Sequence, residues 1–431
     1  SPPFHDLGNI TAAGVMAAWL FSVMLLPILM SFVTVKPKET LGSLNNYMGK
    51  MGEFISSKYK AVLLISIFIS VLVTAAITRN EINDDFLKYF DEDITFRADT
   101  DWISQNLTGL NQIQFDMQSK KPNGISDPVF LNKLETFANW ARNHEVVTNV
   151  QSITDVFKRL NRDLNGGDLE FYRIPENREL SAQYLLLYEL SLPFGLDLNN
   201  QIDIDKSSTQ VIVTIDDLTT NQIKAWISEA ESFLENELGM DTVAAGPTVM
   251  FSYIAERNIQ GMLWGTLYAV LIISGIILIA LKDVRLGLLS LVPNLLPAAL
   301  AFGVWGLFVG QVNMAVAVVT GMALGVIVDD SVHFLTKYQL ARKNDNLSAE
   351  KAVVSAFGGV GTALLVTTII LVAGFAILAQ SSFGLNSAMA SLTAIALFMA
   401  LVADLTILPS LLILLDRKIN KSNAPDNVVT A

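Results

Sequence analysis

The sequence predicts an α-helical membrane bundle of seven transmembrane helices carrying one large α+β domain outside the bilayer, and three observations lead there. Seven apolar runs are of a length that crosses a bilayer. Charged residues concentrate in a single intervening segment. The basic residues outside that segment fall only in alternate connections.

The apolar runs cover residues 10–33, 61–77, 261–281, 286–309, 314–335, 358–378 and 385–415. A hydrocarbon core about 30 Å thick needs about 20 helical residues, and most of the runs supply them. Composition agrees: 52% of the 431 residues are hydrophobic and only 16% charged, where a soluble domain carries about 25% charge. The formal charge of −12 is unevenly spread. Residues 79–257 hold 30 Asp and Glu against 15 Lys and Arg, and the rest of the chain holds 11 against 14. No basic surface is available for a nucleic acid. The absence of cysteine removes disulfide frameworks, thiolate metal sites and thiol nucleophiles. No targeting segment is visible after Ser1.

Orientation follows from the basic residues, because short cytoplasmic loops collect Lys and Arg. Lys36, Lys38, Lys50, Lys58 and Lys60 follow the first run, and Lys282 and Arg285 separate the third and fourth. Lys337, Arg342, Lys343 and Lys351 follow the fifth, and Arg417, Lys418 and Lys421 lie in the tail. Loops 310–313 and 379–384 have none. The acidic segment therefore lies outside, which in a bacterium is the periplasmic side of the inner membrane. The expected divisions are a first helix (1–34), a cytoplasmic linker (35–60), a second helix (61–78), the outside domain (79–257), a five-helix bundle (258–416) and a cytoplasmic tail (417–431).

Within the outside domain, alternation of Ile113, Phe115 and Met117 predicts a strand over 112–118. Ser126 and Pro128 then open a helix whose face is Phe130, Leu134, Phe137 and Ala141. Residues 201–205 and 210–215 read as a hairpin. A helix after Thr220 buries Ile223, Trp226, Ile227, Ala230, Phe233, Leu234 and Leu238 and is ended by Gly239, and 242–245 reads as a returning strand. Two successive strand and helix units predict two small subdomains.

The fifth run carries the chemistry. Its apolar part, 314–328, is about 22 Å of helix and too short to span, so Asp329, Asp330 and His333 enter the membrane with it. Gly321, Gly325, Asp329 and His333 recur every four residues and share one line of the helix. The glycines are expected to admit a neighbouring helix and to turn the carboxylate into the bundle. Low dielectric disfavours a charged carboxylate, and a second one beside it adds repulsion, which is the chemistry a proton relay needs. Thr362, Thr367, Thr368 and Asp404 are the polar partners that neighbouring runs offer. The three histidines, His5, His144 and His333, stand at unrelated positions, and there is no Gly-rich phosphate loop or credible triad. Neither an enzyme, a cofactor nor a metal site is expected.

A weak internal repeat links the ends of the chain. Residues 25–29, Leu-Leu-Pro-Ile-Leu, match 407–411, Ile-Leu-Pro-Ser-Leu, and Ser1-Pro-Pro-Phe4 matches Ser381-Ser382-Phe383 more loosely. Parallel repeats are a known transporter construction. On this reading the chain starts at the end of one repeat and then contains one complete copy, as part of a protein about twice as long.

This pattern resembles the second half of resistance-nodulation-division (RND) exporters, in the branch similar to MMPL lipid exporters. The resemblance rests on one helix plus five around a large outside loop, on Gly325-Val-Ile-Val-Asp329-Asp330-Ser-Val-His333-Phe334, on Ala245-Gly246-Pro247, and on Asp404-Leu-Thr-Ile-Leu-Pro409. It implies proton-driven export of hydrophobic or amphiphilic molecules, with 79–257 as periplasmic porter domain and Asp329 and Asp330 as relay carboxylates. Drug pumps of the superfamily tend to carry Lys at this place, so Asp favours the lipid-exporting branch over drug efflux. The implied partners are membrane lipids, an amphiphilic small-molecule substrate, and the missing N-terminal half that would face Asp329. A homo-oligomer or a periplasmic adaptor is left open. The rival reading is a lipid or sterol sensor without transport.

Overall fold

A computed structural model describes residues 2–32, 40–193 and 198–422. Among the described residues, seven helices long and apolar enough to cross a membrane run through Gly8–Ser31, Tyr59–Arg79, Pro247–Leu281, Val284–Phe308, Met314–Lys343, Ala349–Leu378 and Gly384–Arg417, below called the first to seventh spans. Lys36, Lys38 and the final residues 423–431 lie outside the described residues. The expected linker is itself largely helical, over Thr40–Ser57, and its buried Met48 and Ile55 pack against Phe357 and the ends of the last spans remote from the sheet domain.

The third span begins earlier than its apolar composition announces. It is one helix of 35 residues from Pro247, about 52 Å long, so its first turns rise beyond the bilayer and belong to the outside domain. Pro247 suits a first helical position, and Gly246 before it has φ +112°, which an L side chain rarely adopts. The fourth span approaches the second without any side chain between them. A Cβ at Gly303 would lie 2.2 Å from the Val73 carbonyl oxygen, and one at Gly306 would lie 2.4 Å from that of Ala76.

Four strands of the outside domain form one antiparallel sheet. After the two-residue β1 (Glu81–Ile82), they are β2 (Asn111–Gln118), β3 (Val147–Gln151), β4 (Ser208–Ile215) and β5 (Ala244–Ala245), in the order β3-β4-β2-β5. With helices after β2 and β4, this is the split βαβ arrangement. The expected pair of subdomains is therefore corrected: β2 and β4, one from each unit, lie side by side with Phe115 opposite Val211, and one core serves both. Each unit has an apolar sheet face too small to bury alone, so the two share it. Phe115 of β2 meets Phe137 and Trp226 from the two helices at 5.1 and 6.1 Å between ring centres, and Trp140 stacks on Phe233 at 4.7 Å.

Local details also differ. Asp127, not Ser126, caps the helix Pro128–Arg142, its carboxylate accepting from the Val129 amide. The 201–215 hairpin reduces to one bridge, Ile202 to Thr209, because Asp203 folds the turn by accepting from the amides of Ser207 and Ser208. The helix Thr220–Asn236 has the expected apolar face, and Thr219 and Gln222 cap it reciprocally. Gly239 takes the positive φ of a terminator.

The sequence repeat has a backbone counterpart. The first span is interrupted by a π turn at Phe21–Leu25, directly before Leu26 and Pro27, and the seventh by one at Ala403–Ile407, directly before Leu408 and Pro409. The two turns are 382 residues apart, in the register of the sequence match. Proline has no N–H and crowds the carbonyl four residues back, here Val23 and Leu405, so a widened turn at that point relieves both helices alike. No residue in the apolar window of the first span is buried against the rest of the chain.

Candidate functional site

The fifth span distributes its polar residues over two faces. Its N-terminus is fixed by Asn313, whose side chain accepts from the Val316 amide. One turn after another then buries Val316, Val319, Ala323, Ile327, Ser331 and Phe334 against neighbouring spans. Gly321, Gly325, Asp329 and His333 do fall along one line, but on the opposite face.

The expected inward carboxylate is therefore corrected. Asp329 keeps 70% of its side-chain surface and His333 61%, and the two form an i, i+4 pair with Nε2 3.4 Å from Oδ1. A Cβ at Gly325 would meet nothing within 4 Å, and at Gly321 only the Thr266 hydroxyl at 3.7 Å. The close approach expected of these glycines occurs instead at Gly303 and Gly306, in the fourth span. The inward face is taken by Val316, Val319, Ala323, Ile327 and Phe334, which leaves Gly321, Gly325, Asp329 and His333 outward.

Asp330 is half-buried, and the Thr368 hydroxyl of the sixth span donates to its Oδ2 at 3.5 Å. Next to it Ser331, fully buried, donates to Oδ1 of Asp404 at 2.9 Å. Asp404 is 1% exposed, stands inside the π turn of the seventh span, and has no partner for Oδ2 among the described residues. Of the expected threonines, Thr368 reaches a carboxylate. Thr367 bonds back to the carbonyls of Ala363 and Leu364, as threonine in apolar helices commonly does. Thr362 is buried with its hydroxyl unpartnered among the described residues. The structure thus brings Asp330, Ser331, Thr368 and Asp404 together across three spans and leaves Asp329 and His333 on the outer surface of the bundle.

Two residues escaped sequence reasoning. Ser331 stands between Asp330 and Val332 with nothing in the local pattern to mark its contact with Asp404. Asn294, wholly buried in the fourth span between Pro293 and Pro297, has neither amide atom paired among the described residues and lines a cavity of about 30 Å³ with Thr266 and Thr320. An amide in an apolar run between two prolines was the available signal.

A second polar cluster joins the bundle to the outside domain. β1 pairs in parallel with β6 (Gln311–Val312), in the loop before the fifth span. Beyond it, the Asp84 carboxylate accepts from the Tyr89 hydroxyl and from the Met314 amide at the head of the fifth span. Asn83 Oδ1 accepts from the Thr220 amide at 3.2 Å, and Thr220 Oγ1 accepts from the Asp84 amide at 3.3 Å. Lys88 pairs with Asp217 at 2.8 Å and with Asp85 at 3.0 Å. Lys224 pairs with Glu256 of the third span. Burial pushes the Asp84 carboxyl above its ordinary range, Asp85 adds to this, and the Tyr89 and Met314 hydrogen bonds only partly offset it. Burial, with Asp84 beside it, likewise raises the Tyr89 hydroxyl.

The architecture defines a polytopic membrane protein with polar groups held between its spans and a folded domain at one side. A model described as the MMPL family matches residues 201–427, more than half the chain, and the chain belongs to that family of RND-type membrane transporters. It is also 21% identical over 382 residues to MJ1562 of Methanocaldococcus jannaschii, named as a membrane protein, a match covering 87% of this chain and 96% of that one.

Proposed function

We propose that this transporter exports hydrophobic or amphiphilic, lipid-like molecules at the expense of a proton gradient. Asp329, Asp330 and His333 carry the protons, Thr368 and Asp404 support them, and the outside domain acts as the porter. The reading rests chiefly on the 83–89 segment. Its hydrogen bonds run from Met314, at the head of the carboxylate-bearing span, to Thr220, at the head of a porter helix. Protonation neutralises a carboxylate and alters how the fifth span packs, and a rigid connection of this kind passes the shift outward.

Two cavities flank the same segment and share Asn83 and Asp85. One, about 580 Å³, is walled by Trp305, Phe308 and Ser387 at the outer ends of the spans. The other, about 430 Å³, is walled by Phe86, Phe96 and Phe251 beneath the sheet domain. Aromatic walls beside Lys88 and Asp85 suit a molecule with an apolar body and a polar head. The outward line of Gly321, Gly325, Asp329 and His333 supports a further membrane half, from the same protein or a second copy, that covers it and completes the relay. Charged groups left against lipid would cost several kcal/mol.

The test is transport into or out of proteoliposomes under an imposed pH gradient, using a fluorescent amphiphile and a pH-sensitive dye. Asp329→Asn and Asp330→Asn are each expected to abolish proton-dependent export while membrane insertion stays intact. Unchanged export in both variants refutes the relay. Lipid binding without proton flux in the wild type identifies a sensor instead.

A further inference from the structure

At the end of the bundle remote from the sheet domain lies a cavity of about 380 Å³ between the short helix Val284–Leu289, the end of the fifth span and the end of the seventh. Its two acids are already engaged. Asp416 accepts from Arg342 Nε at 2.7 Å and from the Tyr338 hydroxyl at 2.6 Å. Asp283 accepts from the amides of Arg285 and Leu286 at 3.0 and 3.4 Å. Gln339 donates to the Leu281 carbonyl at 2.8 Å, which also holds that wall in place.

What remains is cationic. The side chains of Arg285 and Lys343 line the cavity and have no ion-pair or hydrogen-bond partner among the described residues. The floor is apolar: Leu289 and Leu412 are buried, and Leu286 and Leu415 continue it, with Leu415 38% exposed toward the bundle surface. Two unspent cations above an apolar floor that reaches the exposed Leu415 at the bundle surface match a phosphodiester headgroup with its acyl chain. Basic pockets between helices at this level bind anionic headgroups. A soluble phosphate compound would use the cations and leave the leucine floor unoccupied.

We propose that this cavity binds an anionic phospholipid, with Arg285 and Lys343 on the phosphate and the acyl chain along Leu286, Leu412 and Leu415. The site is separate from the carboxylate cluster, and its test needs no transport. The purified full chain in neutral detergent is titrated with fluorescent phosphatidylglycerol, using phosphatidylcholine, glycerophosphoglycerol and inorganic phosphate as competitors. Each cation near an anionic group contributes roughly fivefold in affinity. The double variant Arg285→Ala/Lys343→Ala is therefore expected to bind phosphatidylglycerol about 30-fold more weakly. Lys351→Ala, a basic residue outside the cavity, leaves binding unchanged. Leu415→Glu, which puts a charge in the acyl path and leaves both cations intact, also weakens it. Circular dichroism and thermal melting establish that each variant is folded, and each is a change at a partly or fully exposed side chain. Wild-type affinity in the double variant overturns the site. Competition by glycerophosphoglycerol or phosphate as strong as by the intact lipid overturns the lipid assignment and leaves a small-anion site.

Discussion

Replacing Ser331 by alanine removes the hydroxyl that the Asp404 carboxyl accepts, and the structure sets the size of the effect. Both residues are almost wholly inaccessible, at 0% and 1%, and the contact is 2.9 Å. The second carboxyl oxygen has no partner among the described residues, so no neighbour takes over when the serine is lost. Leaving a buried acceptor without its donor costs about 1 to 3 kcal/mol, whether or not the carboxyl is ionised. Ser331→Ala should therefore destabilise the bundle by about 2 kcal/mol. Asp404→Asn keeps an acceptor of the same shape and cannot ionise, so it should be no less stable than the wild type. In the double variant Ser331→Ala should again cost about 1 to 3 kcal/mol, because the amide carbonyl loses the same donor. Equilibrium unfolding in mixed SDS micelles, followed by tryptophan fluorescence, measures all four species. If Asp404→Asn costs as much as Ser331→Ala, a stronger cationic or metal partner holds the carboxylate, and the reasoning fails.

Three further outcomes follow from the packing and the charges. Gly303→Ala places a methyl 2.2 Å from the Val73 carbonyl oxygen, a clash only helix separation relieves; a loss of about 3 kcal/mol or more is expected in the same unfolding assay, while Gly325→Ala, where a Cβ meets nothing within 4 Å in this chain, costs nothing and gains up to about 1 kcal/mol of helix propensity. Lys158→Met in the outside domain strands Glu135, which lies 2.7 Å from the ammonium. Burial by itself would raise Glu135, but Lys158, Thr154 and Arg142 hold it below its ordinary range, so the variant should lose about 2 kcal/mol at neutral pH and progressively less as pH falls through the lowered folded value, read by thermal melting. Asp84 behaves oppositely: its raised carboxyl binds a proton more tightly folded than unfolded, so its stabilisation is complete below its ordinary 3.8 and fades as pH rises through the folded value. Asp84→Asn should flatten that decline in melting temperature, and a parallel decline in both proteins would contradict the assignment.

The spans were legible because length against bilayer thickness is a strong constraint, and one that needs no partner. The amphipathic helix ending at Gly239 was legible for a similar reason, since one face of it meets water. Which way the fifth span faces was not. The period of four among Gly321, Gly325, Asp329 and His333 was correctly read, but in an apolar medium both faces of a helix are apolar and periodicity carries no sign. The Ser331 to Asp404 contact joins residues 73 apart, and the sharing of one sheet by β2 and β4 is likewise a long-range pairing. Local pattern specifies the strands and leaves their neighbours undetermined. The first residues of the third span were missed because Glu256 and Arg257 interrupt the apolar run, although Pro247 after Gly246 marked the true start.

The widened turns of the last two spans also set an angular address. Each π turn, at Phe357–Gly361 and Ala403–Ile407, accommodates one residue more than an α-helix would, and one residue is about 100° of rotation. Everything downstream is turned by that amount about its own axis: Thr368 in one helix, and Pro409 with the helix end that carries Asp416 in the other. Rewinding Phe357–Gly361 as a regular α-helical turn of the same residues would leave every apolar segment at a length that still crosses the membrane. It would nevertheless swing Thr368 off Asp330 by more than a quarter of a circle, so the polar cluster depends on the winding of a turn that has no polar side chain of its own.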